Sequence, residues 1–133
     1  MIGIDTNVLL RHFVQDDPVQ SAEATRFLTD ECTVERPGFI GIVVLCELAW
    51  VLARFYRYGR DDVLAAIRTL LATSTARVQE AQLVRQAVDR VEHEGGDFPD
   101  HLILLLNLQN SCDVTVTFDR RFARLPGTRL LSP

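Results

Sequence analysis

The sequence predicts an α/β sandwich built on a mostly parallel sheet of short strands, and three observations predict it. Short apolar or β-branched runs alternate with amphipathic helical stretches, the alternation begins and ends on strands, and the first and last confident strands each stop at an aspartate. In such folds chemistry collects at the carboxyl ends of the strands. The chain of 133 residues is read as one domain over 1–133, with no repeat, linker or low-complexity tract.

Met1 to Asp5 reads as a short buried strand, and Asp5-Thr6-Asn7 as a strand-to-helix turn. Val8-Leu9-Leu10 and Phe13-Val14 then follow at helical spacing. After the break at Gln15-Asp16-Asp17, Pro18 suits the first position of a helix running to about Thr29. Thr33 to Glu35 is expected as a short strand ended by Arg36-Pro37-Gly38. From Ile40 to Tyr56 apolar residues recur at three- and four-residue steps, which predicts a helix closed by Tyr58-Gly59. Asp61 to Leu71 is the next helix, Arg77 to Gln79 a strand, and Ala81 to His93 a helix stopped by Glu94-Gly95-Gly96. Asp97-Phe98-Pro99-Asp100 opens a helix to about Asn110, Asp113 to Thr117 is a strand, and Arg120 to Arg124 a short helical turn.

Composition excludes several classes of chemistry. All 14 basic residues are Arg. With no Lys there is no Schiff-base enzyme and no Gly-Lys-Thr phosphate loop. Cys32, Cys46 and Cys112 are scattered, make neither a disulfide framework nor a zinc site, and read as small core residues. His12, His93 and His101 follow no metal-binding spacing and read as solvent-facing or supporting groups. No G-x-S-x-G or G-x-G-x-x-G occurs, so acyl transfer and nucleotide redox chemistry lack a foothold. Apolar runs such as Leu102 to Leu106 are far short of the roughly 20 residues of a membrane span. Met1 leads straight into Ile2-Gly3-Ile4-Asp5 without a signal-peptide core, so a cytoplasmic protein is expected.

Four acids stand out. Asp5 and Asp119 end strands, where each could equally cap a following helix. If both strands lie centrally in one parallel sheet, their carboxylates face the same edge. Glu47 lies among Val43, Val44, Leu45, Cys46, Leu48, Ala49 and Trp50. It is either on a narrow solvent stripe or buried and in need of a partner, and no Arg stands three or four residues away. Asp97 fits a helix N-cap, with Asp100 at the third helical position as in a capping box. An oxygen-only set of this kind suits Mg²⁺ or Mn²⁺.

These segments together resemble those of the PIN-domain ribonucleases and, within them, the VapC-type toxins of bacterial toxin–antitoxin pairs. The matching pieces are Ile4-Asp5-Thr6-Asn7-Val8-Leu9-Leu10, the Val44-to-Leu52 stretch around Glu47, Asp97-Phe98-Pro99-Asp100-His101-Leu102-Ile103 and Thr117-Phe118-Asp119-Arg120-Arg121-Phe122. Four pieces in order cover essentially the whole chain. The resemblance implies a three-layer sandwich and a metal-dependent endoribonuclease. Asp5, Glu47, Asp100 and Asp119 would be the catalytic acids holding one or two Mg²⁺ or Mn²⁺ ions, with Asp5 and Asp100 as principal ligands. Thr6, Asn7 and Thr117, with Asp97, would support and orient those carboxylates. His101 stands where the family more often has a small residue and would alter the rim of the site. The resemblance further implies a homodimer held inactive by a VapB-like antitoxin.

The net charge of −4 disfavours a nucleic-acid binder until the ions are counted. Two divalent ions would bring the formal total to zero, and Arg11, Arg120, Arg121 and Arg124 flank the acids where an RNA backbone could be met. A phosphatase with Asp5 as nucleophile is rejected, because position 7 is Asn and Lys is absent. A non-catalytic PIN-like module that binds RNA or protein remains the alternative, and so does a nuclease acting on DNA.

Overall fold

The computed structural model describes residues 1–132. By its internal contacts the chain divides into two compact units, Met1–Ala81 and a second that starts at Gln82.

In the first unit, strands β1 (Ile2–Gly3), β2 (Gly38–Ile40) and β3 (Ala76–Val78) form a parallel sheet in that order, with Ile2 opposite Gly38 and Gly38 opposite Ala76. Parallel neighbours need crossovers, and helices supply them. Between β1 and β2 run α1 (Thr6–Val14) and α2 (Pro18–Arg26), the latter widening into a π-turn at Phe27–Glu31. Between β2 and β3 run α3 (Ile42–Phe55) and α4 (Arg60–Ala72). Pro18 takes the first turn of α2, where a missing N–H costs nothing, and the Asp17 side chain caps it by accepting from Gln20 N–H at 3.0 Å. Leu9, Ile40, Leu45, Leu48, Leu52, Leu64 and Ile67 are fully buried, as the apolar periodicity demands. At Gly38 a side chain would run into the ends of the Ile4 and Cys32 side chains, which would have to shift to make room.

Thr33 to Glu35, expected as a strand, belongs to a turn. Thr33 N–H donates to the Arg36 carbonyl at 3.1 Å, and Arg36 N–H donates to Thr33 Oγ1 at 2.9 Å. The hydroxyl offers the backbone a local partner in place of a ladder, and the strand forms only after Pro37.

The second unit holds α5 (Ala81–Glu94, entering from Ala81), α6 (Phe98–Gln109), β4 (Thr115–Thr117), a 3₁₀ turn at Phe122–Arg124 and β5 (Thr128–Leu130). β4 and β5 pair in parallel, Thr115 opposite Thr128, over a cluster of Leu104, Phe122 and Leu125. Glycines at φ 76° and 82°, Gly95 and Gly96, end α5 and turn the chain into Asp97. Among the described residues the paired strands are all parallel, and the mixed α/β reading stands. Among the described residues no helix is long and apolar enough to cross a membrane.

The cysteines do not share one environment. Cys32 is buried as expected, whereas Cys46 is half-buried and Cys112 is exposed, because Cys112 follows the end of α6 in an open turn.

Candidate active site

In the first unit the chain leaves β1 through Ile4, which is buried, and Asp5 takes the N-cap position of α1 in an extended conformation. Its side chain makes no capping bond, so the carboxylate remains free and exposed beside the positive end of the helix. Asn7 and Arg11, one helical step of four apart, continue the same side of α1. Across from them Glu47, Val51 and Phe55 recur at four-residue steps on α3, which packs on α1. These residues, with Thr6, Leu10 and Tyr56, line an open cavity of about 640 Å³ whose acids are Asp5 and Glu47.

Glu47 is exposed, so it needs no partner to offset burial. It shares a solvent stripe with Val43 and Trp50, which are 81% and 56% exposed. The apolar surroundings in sequence hid this, because α3 carries apolar residues on its open face as well as its buried one. Asn7 is exposed on the cavity, whereas Thr6 is buried beside it. Its hydroxyl is buried with no hydrogen-bond partner.

In the second unit Asp97 precedes α6, and Asp100 is its third helical residue. The capping box is not formed, since the Asp97 side chain makes no capping bond. Asp119 follows β4, and here capping is real: its Oδ1 accepts from Arg121 N–H at 2.8 Å and Phe122 N–H at 3.3 Å. Thr117 Oγ1 accepts Asp119 N–H at 2.9 Å, which fixes the backbone that carries the carboxylate. Arg120, Arg121 and Arg124 are exposed around it. The Asp100 carboxyl titrates at about 6, raised from 3.8 by partial burial first and by the charges of Asp97 and Asp119 next, with His101 and Arg121 opposing.

His101 is not on a rim. It is fully buried, its Nε2–H donates to the Gly95 carbonyl at 2.7 Å, and its Nδ1 has no partner. The adjacent Asp100 is half-buried while His101 is fully buried, because neighbouring helix positions point about a hundred degrees apart. Gly96 lies so close that a Cβ there would sit 3.2 Å from His101 Nε2 and from Leu125 Cδ2.

Among the described residues no three His, Cys, Asp or Glu side chains are gathered into a group that could hold an ion. The first unit carries Asp5 and Glu47 on one cavity, and the second carries Asp97, Asp100 and Asp119. The chemistry of both sets fits a hard divalent cation: the donors are all carboxylate oxygen, and positive charge would relieve the crowding at Asp100.

Short parallel strands joined by helices, with aspartates following β1 and β4, define a class here, and comparison with known proteins agrees. The chain matches the PIN domain family over residues 2–127 and belongs to that family. It is also similar to the VapC ribonuclease of Aquifex aeolicus (strain VF5), with 25% identity over 130 residues, covering 98% of this chain and 95% of the relative.

Sequence reasoning did not find Phe55, Tyr56 or Asp16 as features of the first acid set. The four-residue steps Asn7–Arg11 and Glu47–Val51–Phe55 were the available signal, since each places its members on one helical face.

Proposed function

We propose that this chain is a Mg²⁺- or Mn²⁺-dependent endoribonuclease that hydrolyses RNA phosphodiester bonds as the toxin of a toxin–antitoxin pair. The observation that carries this reading is Asp5, which holds an N-cap position without capping and keeps a free carboxylate beside Glu47 in an open cavity. A carboxylate spared from its usual structural work is available for chemistry. Membership of the PIN domain family and likeness to a VapC ribonuclease support the same activity.

Asp5, Glu47, Asp100 and Asp119 would hold one or two ions, with Asp5 and Asp100 as principal ligands. When bound, such an ion lowers the pKa of water and offsets charge on the attacking and leaving oxygens of a phosphodiester. The chain's own residues orient and bind. Thr117 and the Arg121 and Phe122 amides fix Asp119, leaving its second oxygen out of the cap. Asn7 borders Asp5 with an amide that can direct it, and the exposed Arg120, Arg121 and Arg124 meet the RNA backbone. On the same reading the protein is a cytoplasmic homodimer, held inactive by a VapB-like antitoxin.

The test is cleavage of a mixed RNA pool by the purified protein in Mg²⁺, Mn²⁺ or EDTA. Cleavage should need the ion, and Asp100→Asn should reduce it by about a hundredfold or more, as loss of one charged group at a reacting centre does. RNA left intact with both ions, or cut equally in EDTA, would contradict the proposal.

A further inference from the structure

Among the described residues lining the Asp5–Glu47 cavity, Arg11 is the one cation, and it is held rather than loose. Its Nε–H donates to Gln20 Oε1 at 2.8 Å and its Nη1–H to Asp16 Oδ1 at 3.0 Å. The other oxygen of Asp16 accepts the Tyr56 hydroxyl at 3.0 Å. The clasp thus joins α1, the turn after it, α2 and the C-terminal cap of α3. Neither Arg11 bond uses Nη2, and the side chain is 31% exposed. Tyr56 and then Asp16 raise the guanidinium further above its ordinary value, so it is always charged.

The ion pair of Arg11 is with Asp16, not with the acids of the cavity it lines. That choice matters physically. An Arg free to swing would fold onto Asp5 or Glu47 and neutralise them. One pinned by Asp16 and Gln20 keeps those carboxylates open while offering its remaining donors at a fixed place. A planar guanidinium held in advance loses little freedom when it meets a phosphate, which is where an unrestrained long side chain loses most.

We propose that Arg11 is the cation that takes an RNA phosphate at this cavity, and that Asp16, Gln20 and Tyr56 are positioning residues that hold it off the acids. The inference rests on the nuclease reading and names the backbone contact within it.

The experiment measures binding of a fluorescent, mixed-sequence, single-stranded RNA across a series of NaCl concentrations. The full chain carries Asp100→Asn throughout, so that the RNA stays intact. Arg11→Gln should weaken binding about tenfold and make the slope of log K against log salt shallower by about 0.7, the value for one phosphate contact on a single strand. Arg11→Lys should restore the slope while recovering only part of the affinity, because charge returns without the fork. Tyr56→Phe should cost a few-fold in affinity and leave the slope unchanged. Unfolding curves on each variant separate lost binding from lost fold, and Arg11→Lys and Tyr56→Phe keep the test open should Arg11→Gln fail to fold. If the parent binds RNA and neither Arg11→Gln nor Arg11→Lys moves slope or affinity, the clasp is a structural staple and the inference is overturned. If the parent binds no RNA at any salt, the nuclease reading itself fails.

Discussion

The two sets of acids differ in what surrounds them. Asp5 and Glu47 are exposed in an open cavity, and the one cation lining it is engaged by Asp16. Asp100 is half-buried and crowded by Asp97 and Asp119, and its carboxyl is pushed up to about 6. The first set is open to solvent, with Arg11 paired to Asp16; the second holds charge that burial and neighbouring carboxylates disfavour. One kind of side chain thus stands in two environments, and the difference lies in burial and neighbours.

The largest stability effect should fall next to the crowded set. His101→Ala removes a fully buried ring and its bond to the Gly95 carbonyl, so it should cost about 2–4 kcal/mol in denaturant unfolding. Cleavage per folded molecule should survive, since the ring is fully buried and is not one of the proposed ligands. A loss below about 1 kcal/mol would mean that the orphan Nδ1 offsets most of what the ring contributes.

A smaller and opposite effect separates the two sets directly. Because the folded state raises the pKa of Asp100 from 3.8 to about 6, the native protein holds more protons than the unfolded chain between those values. Stability therefore falls as pH rises through that window, and the cost is complete above it. Asp100→Asn should stabilise the protein in EDTA by about 1 kcal/mol at pH ~7.5, a figure discounted for the solvent that screens a half-exposed group. The gain should vanish near pH ~4, where the unfolded chain also becomes protonated. Asp5→Asn, which removes neither a capping bond nor a buried charge, should change stability by less than about 0.5 kcal/mol at either pH. Equal effects from the two substitutions in thermal melts would erase the contrast.

Much of this was legible in the chain itself. Apolar periodicity marked α3 and α4 because their buried faces repeat regularly, and Pro18 and Gly95-Gly96 punctuated helices for reasons that need no tertiary context. Short strands were harder. β5 has three residues and too little pattern to register, and Thr33–Glu35 looked β-branched but was captured by a hydroxyl bond. At the candidate site, residue types pointed to Asp5, Glu47, Asp100 and Asp119, and the structure shows which carboxylates cap and which do not. Whether a given Asp caps depends on one torsion of its side chain, which sequence does not carry. The Arg11 clasp was illegible for another reason: Tyr56 lies 40 positions from Asp16, and only folding brings them to 3.0 Å.

On the proposed function Asp5 and Asp100 both serve one ion-dependent activity, and a Mn²⁺ titration by calorimetry tests that proposal. The native protein should bind the ion, and Asp5→Asn and Asp100→Asn should each weaken binding by about tenfold or more, as loss of a ligand does. Wild-type Mn²⁺ affinity in either variant would contradict the account.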